Sequence, residues 1–129
     1  MKSFFNLGLV LIVSIIIGQA LACNIIIHVK SDTSKKFQAQ ITTPNGKIGE
    51  KWTFTKPKER NTFQEKADVC GLGDFKIAVF ENGKLNNTVS VTLNGIGRVD
   101  YLVGDDLKPV MNIRHGASCK GECAPISTH

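Results

Sequence analysis

Apolar and polar residues alternate along most of the chain, and this pattern predicts strands rather than helices. In the segment NIIIHVK, the residues Ile25, Ile27 and Val29 fall on one face. The segment KFQAQITT repeats the pattern, with apolar residues at every second position from Phe37 to Ile41. A period of two places successive side chains on opposite sides of a sheet. We therefore expect an all-β protein whose strands each bury one face.

Two turn motifs predict β-hairpins. Asn82 and Gly83 lie between two alternating segments, and this dipeptide is a strong hairpin signal. The motif PNGK, which follows the Phe37 segment, also predicts a turn, because proline presets φ and glycine accepts positive φ there. We expect the second hairpin to return through a strand in which Ile48, Trp52 and Phe54 point into the core.

The number and spacing of these segments indicate the fold class. Seven or eight short strands recur about every ten residues, which is typical of a sandwich or a small barrel. The stretch from 62 to 71 is ambiguous, since it fits either a short strand around Phe63 or a helical turn. We predict a small, disulfide-stabilised, immunoglobulin-like β-sandwich.

The first 22 residues are typical of a secretory signal peptide. Lys2 precedes an apolar run from 7 to 17, and small residues at 20 and 22 provide a cleavage site. The run is shorter than the roughly 20 apolar residues of a membrane helix. Cleavage would leave a single extracellular domain, 23–129, with no stable membrane span. Its charge is mildly basic, since the whole chain carries +5.

All four cysteines lie beyond the predicted cleavage site. An even number of cysteines in a small secreted chain indicates disulfides. We favour a tail-to-body arrangement, in which Cys119 and Cys123 each bond to one of Cys23 and Cys70. The alternative pairs Cys119 with Cys123 and Cys23 with Cys70, and the spacing leaves both open. The tail from 115 to 129 has no periodicity, so we expect it to be either held by its cysteines or left mobile.

The tail also has a spacing that is compatible with zinc. His115, Cys119, Cys123 and His129 supply imidazole and thiolate groups, which are common zinc ligands. In an oxidising compartment the same cysteines favour disulfides. We therefore predict no metal site.

Catalytic motifs are weak in this sequence. No G-x-S-x-G motif occurs, and two disulfides leave no cysteine as a nucleophile. His115 can be grouped with Asp105, Asp106 and Ser118 as a triad, but nothing in the sequence brings them together. We expect a protein that is not an enzyme and has no cofactor.

Basic residues in two predicted loops are the candidate ligand contacts. They would form one patch if the first and third strands shared a sheet, and it would suit an extracellular protein or an anionic glycan. Ordinary solvated lysines are the alternative. Nucleic acid is not an expected partner, because aromatic residues do not alternate with the cations. The candidates are Lys35, Lys36, Lys56, Lys58 and Arg60.

Asn86 begins the sequon Asn86-Asn87-Thr88, a predicted glycosylation site. The alternation places Asn86 on the polar face of its strand, together with Thr88 and Ser90. A glycan on that face would not disturb the core.

The junction ALACN resembles the start of mature tissue inhibitors of metalloproteinases. Those proteins have a netrin-like barrel, and their bridged N-terminal cysteine ligates the zinc of a protease. The resemblance implies an alternative netrin-like or OB barrel, with Cys23 as the inhibitory residue. This chain lacks their C-x-C opening, and it has four cysteines where that domain typically has six.

The layout of the whole chain resembles small secreted nematode proteins of the excretory/secretory type. The resemblance rests on the CNIIIHVK start, the CGLGDFKIAVFENGK segment and the CKGEC tail. It implies secretion and a role outside cells. We predict a secreted, non-enzymatic binding protein of unknown partner. The alternatives are the metalloprotease inhibitor and a carrier of lipid or another small ligand.

Overall fold

Two β-sheets face each other across an apolar core in the computed structural model, which describes residues 23–70 and 73–125. The predicted signal peptide therefore lies outside the described residues. Within them, no helix is long and apolar enough to cross a membrane. The nine strands are β1 (Cys23–Ser31), β2 (Phe37–Thr42), β3 (Trp52–Phe54), β4 (Arg60–Ala67), β5 (Phe75–Glu81), β6 (Lys84–Asn94), β7 (Ile96–Val103), β8 (Pro109–His115) and β9 (Ser118–Gly121).

The strand order confirms the predicted sandwich. Sheet A has the order β4-β1-β7-β8, and sheet B has the order β3-β2-β5-β6-β9. β1 and β7 run parallel, and the other neighbours are antiparallel. The sheets do not close into one barrel, so the netrin-like or OB alternative is wrong. In an immunoglobulin constant domain the first strand pairs with the second, whereas here it pairs with the fourth and the seventh.

The predicted alternation accounts for the core. In β1 and β2, every second residue from Cys23 to Ser31 and from Phe37 to Ile41 is buried. The rings of Phe37 and Phe54 stack with centroids 4.6 Å apart. Both inner faces contribute large apolar side chains to the core, and the carrier hypothesis stays a prediction. The largest fully buried side chains include Phe37, Phe54, Phe75, Tyr101, Ile25, Ile27, Ile41, Ile77 and Leu93.

One ambiguous stretch is resolved, one local prediction is wrong, and one is confirmed. The ambiguous stretch around Phe63 is a strand, β4, which pairs with β1. Ile48 does not point inward; its side chain is 66% exposed, because it lies in the β2–β3 loop and only bridges to Thr42. The predicted hairpin joins β5 to β6, with positive φ at both Asn82 and Gly83. Positive φ at both positions is the requirement of a type I′ turn.

The disulfides connect Cys23 with Cys70 and Cys119 with Cys123. The favoured tail-to-body arrangement is therefore wrong. Pairing of β1 with β4 places Cys23 opposite Ala67, so the chain reaches Cys70 only three residues later, with the two Cα atoms 5.8 Å apart. The tail cysteines cannot compete for Cys23 or Cys70, because β9 adds to the far edge of sheet B, where it pairs with β6.

Candidate functional site

Three loops meet at one end of the sandwich, and two of them carry the predicted contact residues. The β1–β2 loop follows Ser31, and the β3–β4 loop precedes Arg60. The backbone N–H of Asp32 donates to the carbonyl of Val103, which brings the β7–β8 loop to the same end. All five predicted basic residues are exposed there.

Lys30 and Arg60 lie opposite each other on the outer face of sheet A. Directly paired residues of antiparallel strands have Cβ atoms about 5 Å apart, and like charges at such positions are destabilising. Both side chains are exposed. We name the set Lys30, Lys56, Lys58 and Arg60 the basic edge, since β4 is an edge strand of sheet A.

Lys58 holds a backbone conformation that favours glycine. Its φ is 70°. Its N–H donates to the carbonyl of Ser31 at 2.8 Å, and the N–H of Ser31 donates to the carbonyl of Glu59 at 2.8 Å. This pattern is that of a β-bulge whose first position is usually glycine in the left-handed region. A lysine there costs about 1 kcal/mol relative to a relaxed backbone.

The carboxylate of Glu59 orders the loop that presents Lys56 and Lys58. One of its oxygens accepts hydrogen bonds from the backbone N–H of Thr55, the hydroxyl of Thr55 and the backbone N–H of Lys56, each at 2.9 Å. These bonds, led by that of the Thr55 backbone, lower the pKa of Glu59. The loop is therefore fixed by its own side chain.

The two lysines of the β1–β2 loop do not belong to the basic edge. The ammonium of Lys35 donates to the carbonyl of Asp105 at 2.6 Å, so it is engaged by the β7–β8 loop. Thr33 reinforces this link by donating to the carboxylate of Asp105 at 2.6 Å. Lys36 is exposed at the entry to β2 in sheet B, where the pairing of Phe37 with Phe54 places it beside the start of the β3–β4 loop.

The basic candidates were expected to form one patch if the first and third strands shared a sheet, and this condition is not met. β1 shares its sheet with β4 and not with β3. The structure therefore brings Lys58 and Arg60 beside the end of β1, where Lys30 lies, and it engages Lys35 with the β7–β8 loop. The position of Lys30 opposite Arg60 depends on the β1–β4 register, for which the sequence carries no local signal.

His28 lies next to the basic edge on the same outer face. Its Nδ1 is 2.7 Å from the hydroxyl of Thr62 on β4, and its other neighbour in register is Asp100 on β7. Burial lowers the pKa of His28; the charge of Asp100 opposes this effect, while those of Arg60 and Arg98 add to it. Arg98 and Asp100 form an ion pair of 3.3 Å.

The lowered pKa of His28 predicts a pH dependence of stability. Between the ordinary histidine pKa near 6.5 and its lower folded value, the unfolded chain binds more protons than the folded protein. The free energy of unfolding should therefore fall as the pH drops below about 6.5. His28→Gln should remove this part of the pH dependence, measured by urea unfolding at pH 7 and pH 5. An equal loss in both proteins would contradict the assignment.

The alternative chemistries receive no geometric support. Cys119 and Cys123 are bonded to each other, so they offer no thiolates to zinc, and His129 lies outside the described residues. No group of three potential metal ligands occurs within 23–70 and 73–125. Asp105 and Asp106 precede β8 while His115 ends it. Seven extended residues separate them by about 20 Å, so a triad is excluded.

Two further predictions remain untested. Asn86 is exposed on β6, and its side-chain oxygen accepts a hydrogen bond from Asn87 at 2.9 Å. Glycosylation there stays a prediction. Cys23 is bridged, as the inhibitor hypothesis requires. That hypothesis stays a prediction too, without the barrel fold from which it was drawn.

Comparison with known proteins leaves this disulfide-bonded β-sandwich without an assigned family. No family model matches the chain, and no curated protein matches it. Among solved structures it is similar to a chain of a disulfide-locked mutant of intermedilysin with human CD59, at 10% sequence identity and a TM-score of 0.36. The match covers 77% of this chain and 24% of that chain. This chain therefore spans about a quarter of that protein's length.

Proposed function

We propose that this chain is a secreted, non-enzymatic binding protein whose basic edge binds a sulfated glycan outside the cell. The observation that carries the proposal is the basic edge itself. Lys30 and Arg60 are held side by side although they repel, and Lys58 occupies a position that favours glycine. Both arrangements cost stability, and an anionic ligand would offset the repulsion.

The chemistry of the edge favours a polyanion over a folded protein. Protein interfaces depend on aromatic or aliphatic anchors in a desolvated centre. The exposed large apolar residues of the described chain lie elsewhere: Ile48, Val69, Leu85, Ile96 and Val110. The edge instead presents a guanidinium, which binds oxyanions through two parallel hydrogen bonds, and three flexible ammonium groups. Sulfate groups spaced along a glycan match such a surface.

Secretion is part of the proposal and rests on separate evidence. The first 22 residues are typical of a signal peptide. Both disulfides favour an oxidising compartment. N-terminal sequencing of protein secreted from a eukaryotic host should find Cys23 as the first residue.

The direct test is calorimetric titration with a heparin oligosaccharide and with the same oligosaccharide after chemical desulfation. We expect binding of the sulfated form that weakens steeply as salt is raised, because cation–sulfate contacts release counterions. The desulfated form should not bind. Equal binding of both forms, or no binding of either, would contradict the proposal. Capture of an acidic protein that heparin does not displace would favour the protein-partner alternative.

Lys58 permits a test in which stability and binding change in opposite directions. Lys58→Gly should raise the free energy of unfolding by about 1 kcal/mol, because glycine accepts φ of 70° without steric cost. It should also weaken heparin binding about 10-fold, by removing one charge-assisted contact. Urea unfolding and calorimetry measure the two effects.

Lys58→Asn is the matched control for the backbone. Asparagine tolerates the left-handed region and carries no charge. It should weaken binding as much as glycine does, with a smaller gain in stability. If Lys58 is only a solvated loop residue, the glycine variant should still gain stability, and neither variant should change heparin binding.

A further inference from the structure

A cleft opens on the opposite side of sheet A from the basic edge, where β8 faces β6 of sheet B. Its volume is about 170 Å³. An apolar cavity of about 150 Å³ is large enough to bind benzene, so this cleft has room for a single ring. Its walls include Val89, Tyr101, Pro109, Met111, Glu122 and Cys123.

Tyr101 lines this cleft, and its buried hydroxyl is an unpartnered polar group. The residue is only 1% exposed. Its oxygen has no hydrogen-bond partner among the residues that the structure describes. Burial and the charge of Glu122 raise the pKa of Tyr101, so it stays a neutral hydroxyl. A buried hydroxyl without a partner is costly, which makes it a natural contact for a bound polar group.

The outer wall of the cleft is fixed in place by the C-terminal tail. The guanidinium of Arg114 donates to the carbonyls of Ala124 and Ala117, each at 2.9 Å. The backbone N–H of Ala124 contacts the sulfur of Met111 at 3.3 Å. The Cys119–Cys123 disulfide ties the same segment to β9. The cleft is thus built by anchored elements on each side.

We propose that this cleft binds a small aromatic amine, with its ring against Val89 and Met111, a ring hydroxyl bonded to Tyr101, and its ammonium facing Glu122. Glu122 lines the cleft and is exposed, so it lies where a cation would meet a carboxylate at the mouth. The apolar walls suit a ring, and the only charge in the lining is negative. This site is independent of the proposed glycan binding.

Three probes separate the contacts of the ring, the hydroxyl and the amine. Tyramine has all three groups, 2-phenylethylamine lacks the hydroxyl, and p-cresol lacks the amine. In titrations followed by amide NMR spectra, tyramine should bind more tightly than the other two probes, with a Kd of about 1 mM or below for so few atoms. Shifted resonances should include Val89, Met111 and Glu122. Failure of tyramine to bind, or shifts confined to other residues, would overturn the proposal.

Two variants then assign the polar contacts. Tyr101→Phe should weaken the binding of tyramine about 3- to 10-fold and leave the binding of 2-phenylethylamine unchanged, because only tyramine bonds to the Tyr101 hydroxyl. Glu122→Gln should weaken both amines and leave p-cresol unchanged. Equal effects of Tyr101→Phe on both amines would overturn the assignment.

The thermal midpoint checks the unliganded hydroxyl independently. Tyr101→Phe should raise Tm by a few degrees, because an unpartnered buried hydroxyl is removed while the ring remains. A fall in Tm would reveal a protein partner for the hydroxyl and sink the proposal. Heparin binding by the same variant should be unchanged, so failure here is distinguishable from failure of the proposed glycan site.

Discussion

Replacing Cys23 and Cys70 together by alanine is expected to lower the free energy of unfolding by about 4 kcal/mol, and replacing Cys119 and Cys123 by about 2 kcal/mol. The difference follows from loop length. The first pair is 47 residues apart and the second pair only 4. A disulfide that closes a longer loop removes more conformational freedom from the unfolded chain.

Burial adds to the larger effect. The side chains of Cys23 and Cys70 are 1% and 2% exposed and belong to the core. Alanine is the suitable replacement, because serine would bury a hydroxyl in the same place. A loss of about 4 kcal/mol is a large share of the 5–15 kcal/mol typical of a folded domain. Loss of the first disulfide should therefore also reduce the yield of secreted protein.

Urea unfolding, followed by circular dichroism and by the fluorescence of the single tryptophan, Trp52, measures both variants. The tail variant serves as the control, since it also loses two cysteines and one bond. A larger loss in the tail variant than in the Cys23/Cys70 variant would show that loop closure is not the main contribution. Equal losses would lead to the same conclusion.

The sequence predicted the strands best where their two faces differ most. β1 and β2 alternate strictly, and their inward residues were identified correctly. β4 was ambiguous because its inward positions include Asn61 and Glu65 beside Phe63, which interrupts the apolar pattern. An edge strand tolerates polar inward positions, since one of its sides has no neighbouring strand. The weak pattern was thus a consequence of position in the sheet.

The disulfide pairing and the composition of the basic edge share one cause. Both depend on β1 pairing with β4, and these strands are separated in sequence by β2 and β3. Periodicity shows which face of a strand is buried but not which strand lies beside it. The sequence therefore identified Lys58 and Arg60 as candidates and could not place Lys30 opposite Arg60. The positive φ of Lys58 had no signal either, because glycine is the usual residue there.

Charges on an edge strand have a second physical explanation. Lysine and arginine at a sheet edge keep other chains from adding to it. Protection of the edge requires a charge, which can be of either sign, and it requires no ligand. Glutamate would therefore preserve edge protection, whereas it would repel a sulfated glycan. Charge reversal separates the two explanations.

The Lys30→Glu/Arg60→Glu variant should weaken heparin binding about 100-fold or more. Two charge-assisted contacts of roughly 1.5 kcal/mol each are lost, and two repulsive charges replace them. The remaining affinity should depend less on salt, because fewer counterions are released. The variant should remain folded and monomeric by light scattering, since the edge is still charged.

The Lys76→Glu/Lys120→Glu variant is the matched control. It changes the net charge by the same amount, and both residues are exposed in sheet B, away from the basic edge. It should weaken binding less than about 3-fold at physiological salt, where charges beyond about 8 Å are screened. Equal weakening in both variants would show that heparin responds only to net charge. Full binding by a first variant that stays monomeric would leave edge protection as the reason for the charge of Arg60 on the edge strand β4.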